Sequence, residues 1–230
     1  MEIKGENLIT KVLSTARKYN KNIPPLEITL EKFFPTGSGI GAGSGNAGAM
    51  IRWLRDFYGA ELPEEDTAKL GADVAFLASD NIMATARGIG EIMTPLKADL
   101  DLGWLLVFPR WRSNTKEAYA KLDERRGASF GAERDADIKD IEAERERYLG
   151  KLSRKERAGL LPNDFFSVLA DEHAEYTTAQ GIAAETGSLG WGLCGSGSAF
   201  FGLYDDEKKR RLAAERFNRE QWVLKTYDLE

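Results

Sequence analysis

The sequence is poor in the residue types that build disulfides and metal sites. Its 230 residues contain one cysteine, Cys194, and one histidine, His173. A single cysteine excludes an intrachain disulfide framework and fits a reducing compartment, and a zinc site would need more ligands. Cys194 has no evident basic partner, so we expect a small buried apolar side chain rather than a nucleophile. We expect His173 to be a solvated helical residue.

Long apolar runs and an excess of positive charge are also missing. No run approaches the length that crosses a bilayer, and the first residues carry no apolar signal-peptide core. The formal net charge is −5, which argues against a nucleic-acid-binding surface. We therefore expect a soluble cytoplasmic protein with no membrane or nucleic-acid partner.

The most distinctive feature present is a glycine-rich stretch, PTGSGIGAGSGNAGAM, at residues 35–50. Residues 26–34 before it alternate as a strand does, and apolar residues from Met50 onwards recur at helical spacing. In a strand, loop and helix of this kind, backbone N–H groups converge at a helix N-terminus, where phosphate binds well. The stretch predicts a nucleotide-phosphate loop. A flexible linker is the weaker alternative.

Two common phosphate loops fit this stretch poorly. A Walker A loop has Lys followed by Ser or Thr after its last glycine, and no Lys follows here. The dinucleotide pattern G-x-G-x-x-G occurs at Gly43, Gly45 and Gly48. The acid that should end the next strand is not evident, however. A Rossmann-type oxidoreductase is therefore the third of our functional hypotheses.

The remaining patterns predict an α+β protein. They indicate helices over residues 7–19, 114–124, 163–184 and 206–217, a hairpin over 81–96, and strands over 102–109 and 221–229. Residues 191–205 resemble a glycine turn that leads into a strand. The dense charges of residues 131–158 indicate a solvated helix face. A change in composition near residue 100 predicts two domains, 1–100 and 101–230.

Two polar features are candidates for chemistry. Asp73 lies among small and apolar residues, where an acid is either a helix N-cap or a partly buried carboxylate with a role, and the spacing favours the cap. The second glycine cluster, Gly195-Ser196-Gly197-Ser198, is either an anion site or a tight turn before a strand. Taken alone, its pattern favours the turn.

Together these motifs resemble one superfamily. Residues 32–47 are similar to the ATP loop of the galactokinase–homoserine kinase–mevalonate kinase–phosphomevalonate kinase (GHMP) superfamily. Within it, the chain resembles the 4-diphosphocytidyl-2-C-methylerythritol kinases. The motifs shared with them, in the same order, are LGADVAF (70–76), ARGIGEIMTPL (86–96), Pro109, Asn114-Thr115 with Tyr119, Pro162-Asn163-Asp164 and GSGSAFFG (195–202). Their order over nearly the whole chain makes the resemblance specific.

The resemblance implies an α+β GHMP kinase fold with a ribosomal-S5-like N-terminal half and a ferredoxin-like C-terminal half. It implies transfer of the γ-phosphoryl group of ATP, with Mg²⁺, to a tertiary hydroxyl of a small molecule. That substrate is diphosphocytidyl methylerythritol, on the methylerythritol phosphate route to isoprenoids. Phosphoryl transfer depends mostly on positioning and electrostatic stabilisation, which a loop of N–H donors and Mg²⁺ supply.

Carried over position by position, the resemblance also implies roles for single residues. Asp73 would be the general base that takes the hydroxyl proton. Tyr119 matches an aromatic position that packs on the cytosine ring, with Thr115 beside it. Gly195, Ser196 and Gly197 would help to shape the substrate cleft. The ATP phosphates would be wrapped by a loop of Pro35, Thr36, Gly37, Ser38, Gly39, Ile40, Gly41, Ala42, Gly43, Ser44 and Gly45. No residue is assigned to the metal.

The chain departs from the family pattern in a few places. The family opens with an Ala-Lys-x-Asn-Leu strand and an Asp-Gly-Tyr-His segment, which supply a catalytic lysine and a histidine that reads cytosine. Here the match begins only at Glu6-Asn7-Leu8. Gly45 replaces a usual serine, and Ala75 a usual proline. We therefore expect an incomplete N-terminal half, and a catalytically incomplete nucleotide-binding member is our second hypothesis.

Overall fold

The computed structural model describes residues 7–88, 90, 92–97, 100–127 and 135–229. Its contacts divide the chain into two units. The first takes in the described residues of Met1–Phe33 and Gly41–Lys97, and the second those of Phe34–Ile40 and Ala98–Glu230. The first half of the glycine stretch, up to Ile40, thus belongs to the second unit, although most of that unit comes from residues after Lys97. The domain boundary near residue 100 stays a prediction. No described helix is both long and apolar enough to cross a bilayer.

The first unit consists of helices and one hairpin. The helices are α1 (Leu8–Tyr19), α2 (Ala42–Tyr58), α3 (Glu64–Leu70) and α4 (Ala72–Ala78), and β1 (Ala84–Arg87) pairs antiparallel with β2 (Ile92–Pro95). An apolar stripe that buries Val12 and Ala16 explains α1. Its first turn is capped by Asn7, whose side chain accepts a bond from the Thr10 N–H at 3.0 Å. The predicted α1 and hairpin are confirmed.

Helices α2 and α4 approach each other closely at a glycine. Gly48 is buried, and a Cβ at this position would lie 2.3 Å from the carbonyl oxygen of Leu77. The buried side chains of Leu54 and Val74 belong to the same core. Helix α2 begins at Ala42, about two turns before the predicted start near Met50. The low helix propensity of glycine concealed these two turns in the sequence.

The second unit is built on a five-stranded sheet. Its order is β4 (Gly159–Leu160), β5 (Gly190–Leu193), β6 (Phe200–Tyr204), β3 (Gly103–Pro109) and β7 (Val223–Leu229). Strand β4 runs parallel to β5, and the other neighbours are antiparallel. Without β4, the order and connections are those of a β-α-β-β-α-β ferredoxin-like fold. The predicted topology of the C-terminal half is confirmed.

Five helices belong to this unit: α5 (Thr115–Arg126), α6 (Asp135–Ser153), α7 (Asp164–Glu172), α8 (Glu175–Glu185) and α9 (Glu207–Phe217). Residues of α7, α8 and α9 pack on one face of the sheet, whereas Leu152 of α6 packs in a separate cluster with Leu203 of β6. Leu105 and Val107 of β3 are fully buried in one cluster with Tyr176 of α8 and Phe217 of α9. Since burial of a large apolar side chain contributes about 1.5–3 kcal/mol, this cluster is the main stabilising core of the unit.

The expectations for residues 26–34, for the helix over 163–184 and for His173 are wrong. Residues 26–34 form no strand, because within the described chain they pair with no other strand, and a strand needs a sheet. The helix expected over 163–184 is divided into α7 and α8 at His173 and Ala174. His173 is half-buried rather than solvated, since its ring stacks on Trp111 with the centroids 4.3 Å apart.

Candidate active site

The first half of the glycine stretch is hydrogen-bonded to two later segments. The N–H of Ala199 donates to the carbonyl oxygen of Ser38 at 2.9 Å, and the N–H of Ser113 donates to that of Gly37 at 3.2 Å. The buried Ser38 also donates its hydroxyl to the carbonyl oxygen of Pro35 at 2.8 Å. Residues 35–39 therefore have a defined conformation.

Glycine is required at alternate positions of this loop. Gly37, Gly39 and Gly41 have φ angles of +72°, +76° and +66°, which other L-residues rarely adopt. At Gly39 there is also no space, because a Cβ would lie 2.0 Å from the carbonyl oxygen of Cys194. Gly43 and Gly45 differ, since both lie in α2 without a positive φ. Of the five evenly spaced glycines, the first three thus adopt left-handed backbone conformations, whereas the last two are helical.

In the first unit, Gly41 and Asp73 lie close together. Gly41 occupies the N-cap position of α2, and no described side chain caps this helix. The first N–H groups of a helix have no partner within the helix, and together with the helix dipole they favour an anion. An Oδ of Asp73 lies 3.9 Å from the position of a Cβ on Gly41. The structure therefore places a carboxylate beside an uncapped helix N-terminus.

Asp73 is exposed and is the second residue of α4. Gly71 holds the N-cap position of that helix, so Asp73 is not the cap that the spacing favoured. Its side chain is consequently available for a role other than capping.

In the second unit, Thr115 joins the second glycine cluster to the start of α5. Its hydroxyl oxygen lies 3.0 Å from that of Ser196, and Ser113 donates its hydroxyl to the carbonyl oxygen of Ser196 at 2.6 Å. Tyr119 lies one turn further along α5, is 53% exposed and packs edge-on against Phe165. Thr115, Tyr119 and the cluster are thus brought to one region of this unit.

Asn163 is a residue to which sequence reasoning gave no role. Its side-chain oxygen caps α7 by accepting a bond from the N–H of Phe165 at 2.9 Å. Its amide nitrogen donates to the carbonyl oxygens of Leu193 at 3.1 Å and Gly195 at 2.9 Å. Asparagine before a helix is a recognisable cap signal. No local sequence pattern indicates its bonds to Leu193 and Gly195, which lie 30 and 32 positions further along the chain.

Cys194 directly precedes the second glycine cluster, Gly195-Ser196-Gly197-Ser198. Burial raises the pKa of its thiol to about 12, so the thiol stays protonated at neutral pH. Cys194 is half-buried, and its expected lack of nucleophilicity stays a prediction. Across the described ranges, no group of three or more His, Cys, Asp or Glu residues is arranged to hold a metal ion.

Comparison with known proteins places the chain in a family. Residues 7–89 match the family described as GHMP kinases N terminal domain, and residues 137–224 match GHMP kinases C terminal. A crystal structure of 4-(cytidine 5'-diphospho)-2C-methyl-D-erythritol kinase aligns with a TM-score of 0.79 at 28% identity, covering 100% of this chain and 80% of that one. A homoserine kinase from Cytophaga hutchinsonii shares the fold, with a TM-score of 0.69 at 16% identity over 97% of this chain and 76% of that one.

Curated relatives narrow the assignment further. A 4-diphosphocytidyl-2-C-methyl-D-erythritol kinase from Chlorobium luteolum is 32% identical over an alignment of 216 positions, which covers 92% of this chain and 72% of the relative. A protein of the same name from Porphyromonas gingivalis is 30% identical over an alignment of 217 positions, which covers 91% of this chain and 73% of the relative.

The chain is therefore a GHMP kinase, and the predicted fold is confirmed. Among these enzymes it belongs to the 4-diphosphocytidyl-2-C-methyl-D-erythritol kinase family. The hypothesis of a Rossmann-type oxidoreductase is wrong.

Proposed function

We propose that this protein transfers the γ-phosphoryl group of ATP to the tertiary hydroxyl of 4-diphosphocytidyl-2-C-methyl-D-erythritol. The names of its relatives support the substrate. The observation that carries the proposal is the Asp73 carboxylate beside Gly41, at the uncapped N-terminus of α2. An anion-binding helix end next to a carboxylate is the pairing that a phosphoryl transfer to an alcohol requires.

We assign the ATP phosphates to the loop from Pro35 to Gly45. The N–H groups of Ala42, Gly43 and Ser44 in the first turn of α2, which have no partner within the helix, would bind phosphate oxygens. The left-handed glycines leave no side chain to keep the anion away from the backbone. Mg²⁺ would be bound chiefly by ATP phosphates and water, with one or two carboxylates, and it would neutralise phosphate charge.

The transfer itself would use Asp73 as general base. Its carboxylate would accept the proton of the tertiary hydroxyl while the hydroxyl oxygen forms a bond to the γ-phosphorus. The bond from that phosphorus to the β–γ bridging oxygen would break, and ADP would leave with the electron pair. The exposure of Asp73 fits this role, because the substrate must reach it.

We assign recognition of the cytidine part to Tyr119 and Thr115, beside the Gly195–Gly197 turn. Tyr119→Ala is expected to raise KM for the cytidine substrate about tenfold or more, since base stacking contributes about 1–3 kcal/mol. Tyr119→Phe keeps the ring and should change KM little. The measurement is steady-state kinetics with either substrate varied, and KM for ATP should stay constant in both variants.

Tyr19→Ala is the matched control for Tyr119, because Tyr19 is 49% exposed but lies in the first unit on α1. An unchanged KM for the cytidine substrate in Tyr119→Ala would refute its assignment.

The proposed substrate is tested by a panel of acceptor alcohols. ADP release would be measured with Mg-ATP and, separately, diphosphocytidyl methylerythritol, homoserine and mevalonate, the last two because kinases of these names share the fold. We expect ADP release only with diphosphocytidyl methylerythritol. Release with homoserine or mevalonate instead would overturn the proposed acceptor while leaving the kinase class intact.

A further inference from the structure

The turn at residues 194–199 lies between two elements with proposed functions. On one side the N–H of Ala199 binds the carbonyl oxygen of Ser38, in the first half of the ATP loop. On the other side Ser196 contacts the hydroxyl of Thr115. A displacement of this turn would therefore move both elements.

The side chain of Asn163 fixes the turn at its beginning. Its two donated bonds reach the carbonyl oxygens of Leu193 and Gly195, which lie on either side of Cys194. The same side chain accepts a bond from Phe165 N–H at the start of α7. The α7 helix is anchored in turn by Val168 and Leu169, both buried. The turn is thus tied through one amide group to a packed helix.

We propose that Asn163 is a positioning residue that holds the Gly195–Gly197 turn in the geometry needed for phosphoryl transfer. This inference rests on the proposed function, in which the turn shapes the substrate site. Asn163 itself would touch no reacting atom. Its effect on the rate arises because phosphoryl transfer depends on alignment, and small displacements of the reactants cost large factors in rate.

Asn163→Asp separates the helix cap that the Asn163 side chain provides from the two hydrogen bonds that it donates to the turn. The carboxylate keeps an oxygen that can cap α7, so the helix should persist. It has no N–H to donate, and its charge would face the carbonyl oxygens of Leu193 and Gly195. Asn163→Ser also keeps a cap but adds no charge. Both variants should fold, and both should release the turn.

Cys194 provides a direct readout of the turn, since it is the only cysteine of the 230-residue sequence. Cys194 is half-buried, and burial raises the pKa of its thiol to about 12. Labelling with an aromatic disulfide reagent should therefore be slow in the wild-type protein and should accelerate when the turn opens. Loss of two hydrogen bonds should raise that rate about tenfold in Asn163→Asp. We expect kcat to fall about tenfold or more with smaller changes in KM, because alignment rather than binding is lost.

Asn7→Asp is the matched control, because Asn7 is also an N-cap asparagine that accepts a bond from a backbone N–H, in the first unit. It should change neither the labelling rate nor kcat. An unchanged labelling rate in Asn163→Asp would overturn the proposal, as would faster labelling with wild-type kcat. If the wild-type protein turned nothing over, the proposed function would fail, and the labelling rates would still decide whether Asn163 holds the turn.

Discussion

Asp73→Asn is expected to lower kcat for phosphoryl transfer by about 10²–10⁴-fold, the usual contribution of a general base. The amide cannot accept the hydroxyl proton, but it has the shape of the carboxylate. Since Asp73 is exposed, the free energy of unfolding should change by no more than about 0.5 kcal/mol. ATP binding, followed by calorimetry, should persist, because the backbone of α2 is untouched.

Asp80→Asn is a suitable control for the Asp73 variant. Asp80 is an exposed acid of the same unit, and its ion pair with Arg55 is long, at 3.5 Å. Asp80→Asn should retain wild-type kcat and stability. Wild-type kcat in Asp73→Asn would show that another group, or no protein group, takes the proton.

Gly39→Ala should unfold or strongly destabilise the loop that we assign to ATP. A Cβ there would lie 2.0 Å from the carbonyl oxygen of Cys194 and 2.6 Å from that of Gly197, and φ is +76°. The left-handed conformation and the overlap together should cost about 2–5 kcal/mol. Urea unfolding followed by circular dichroism would measure this loss, and ATP affinity should fall with it.

Gly45→Ala serves as the contrasting substitution in the same stretch. A Cβ at Gly45 meets no atom within 4 Å, and the residue lies in α2. Alanine is the better helix former, so the protein should become more stable by about 0.5–1 kcal/mol. Equal effects of the two alanines would contradict the different conformations described for Gly39 and Gly45.

Local patterns predicted those elements whose stability is decided locally. The helices predicted over residues 7–19 and 114–124 and the hairpin predicted over 81–96 are present as α1, α5 and the β1–β2 pair. The strand expected over residues 26–34 failed because alternation predicts one face of a sheet but supplies no partner strand. The early start of α2 was missed because its first turns carry glycine, which has a low helix propensity.

The candidate site likewise has parts that local sequence motifs predict and parts that depend on long-range contacts. Asp73 and both glycine clusters could be named from motif order, since each lies in a contiguous segment. The contacts that connect them could not be predicted, because Asn163 bonds to Gly195 and Ser113 bonds to Ser196 across 32 and 83 residues. These residues come together only when the second unit is folded.

The central claim is that this chain turns ATP over on a cytidine diphosphate substrate. The most direct test measures ATP binding and substrate-dependent ADP release on one protein sample. We predict saturable binding of Mg-ATP and ADP release that requires diphosphocytidyl methylerythritol and is lost in Asp73→Asn. Binding of ATP without any substrate-dependent release would contradict the claim, and it would favour a nucleotide-binding member of the family without catalytic activity.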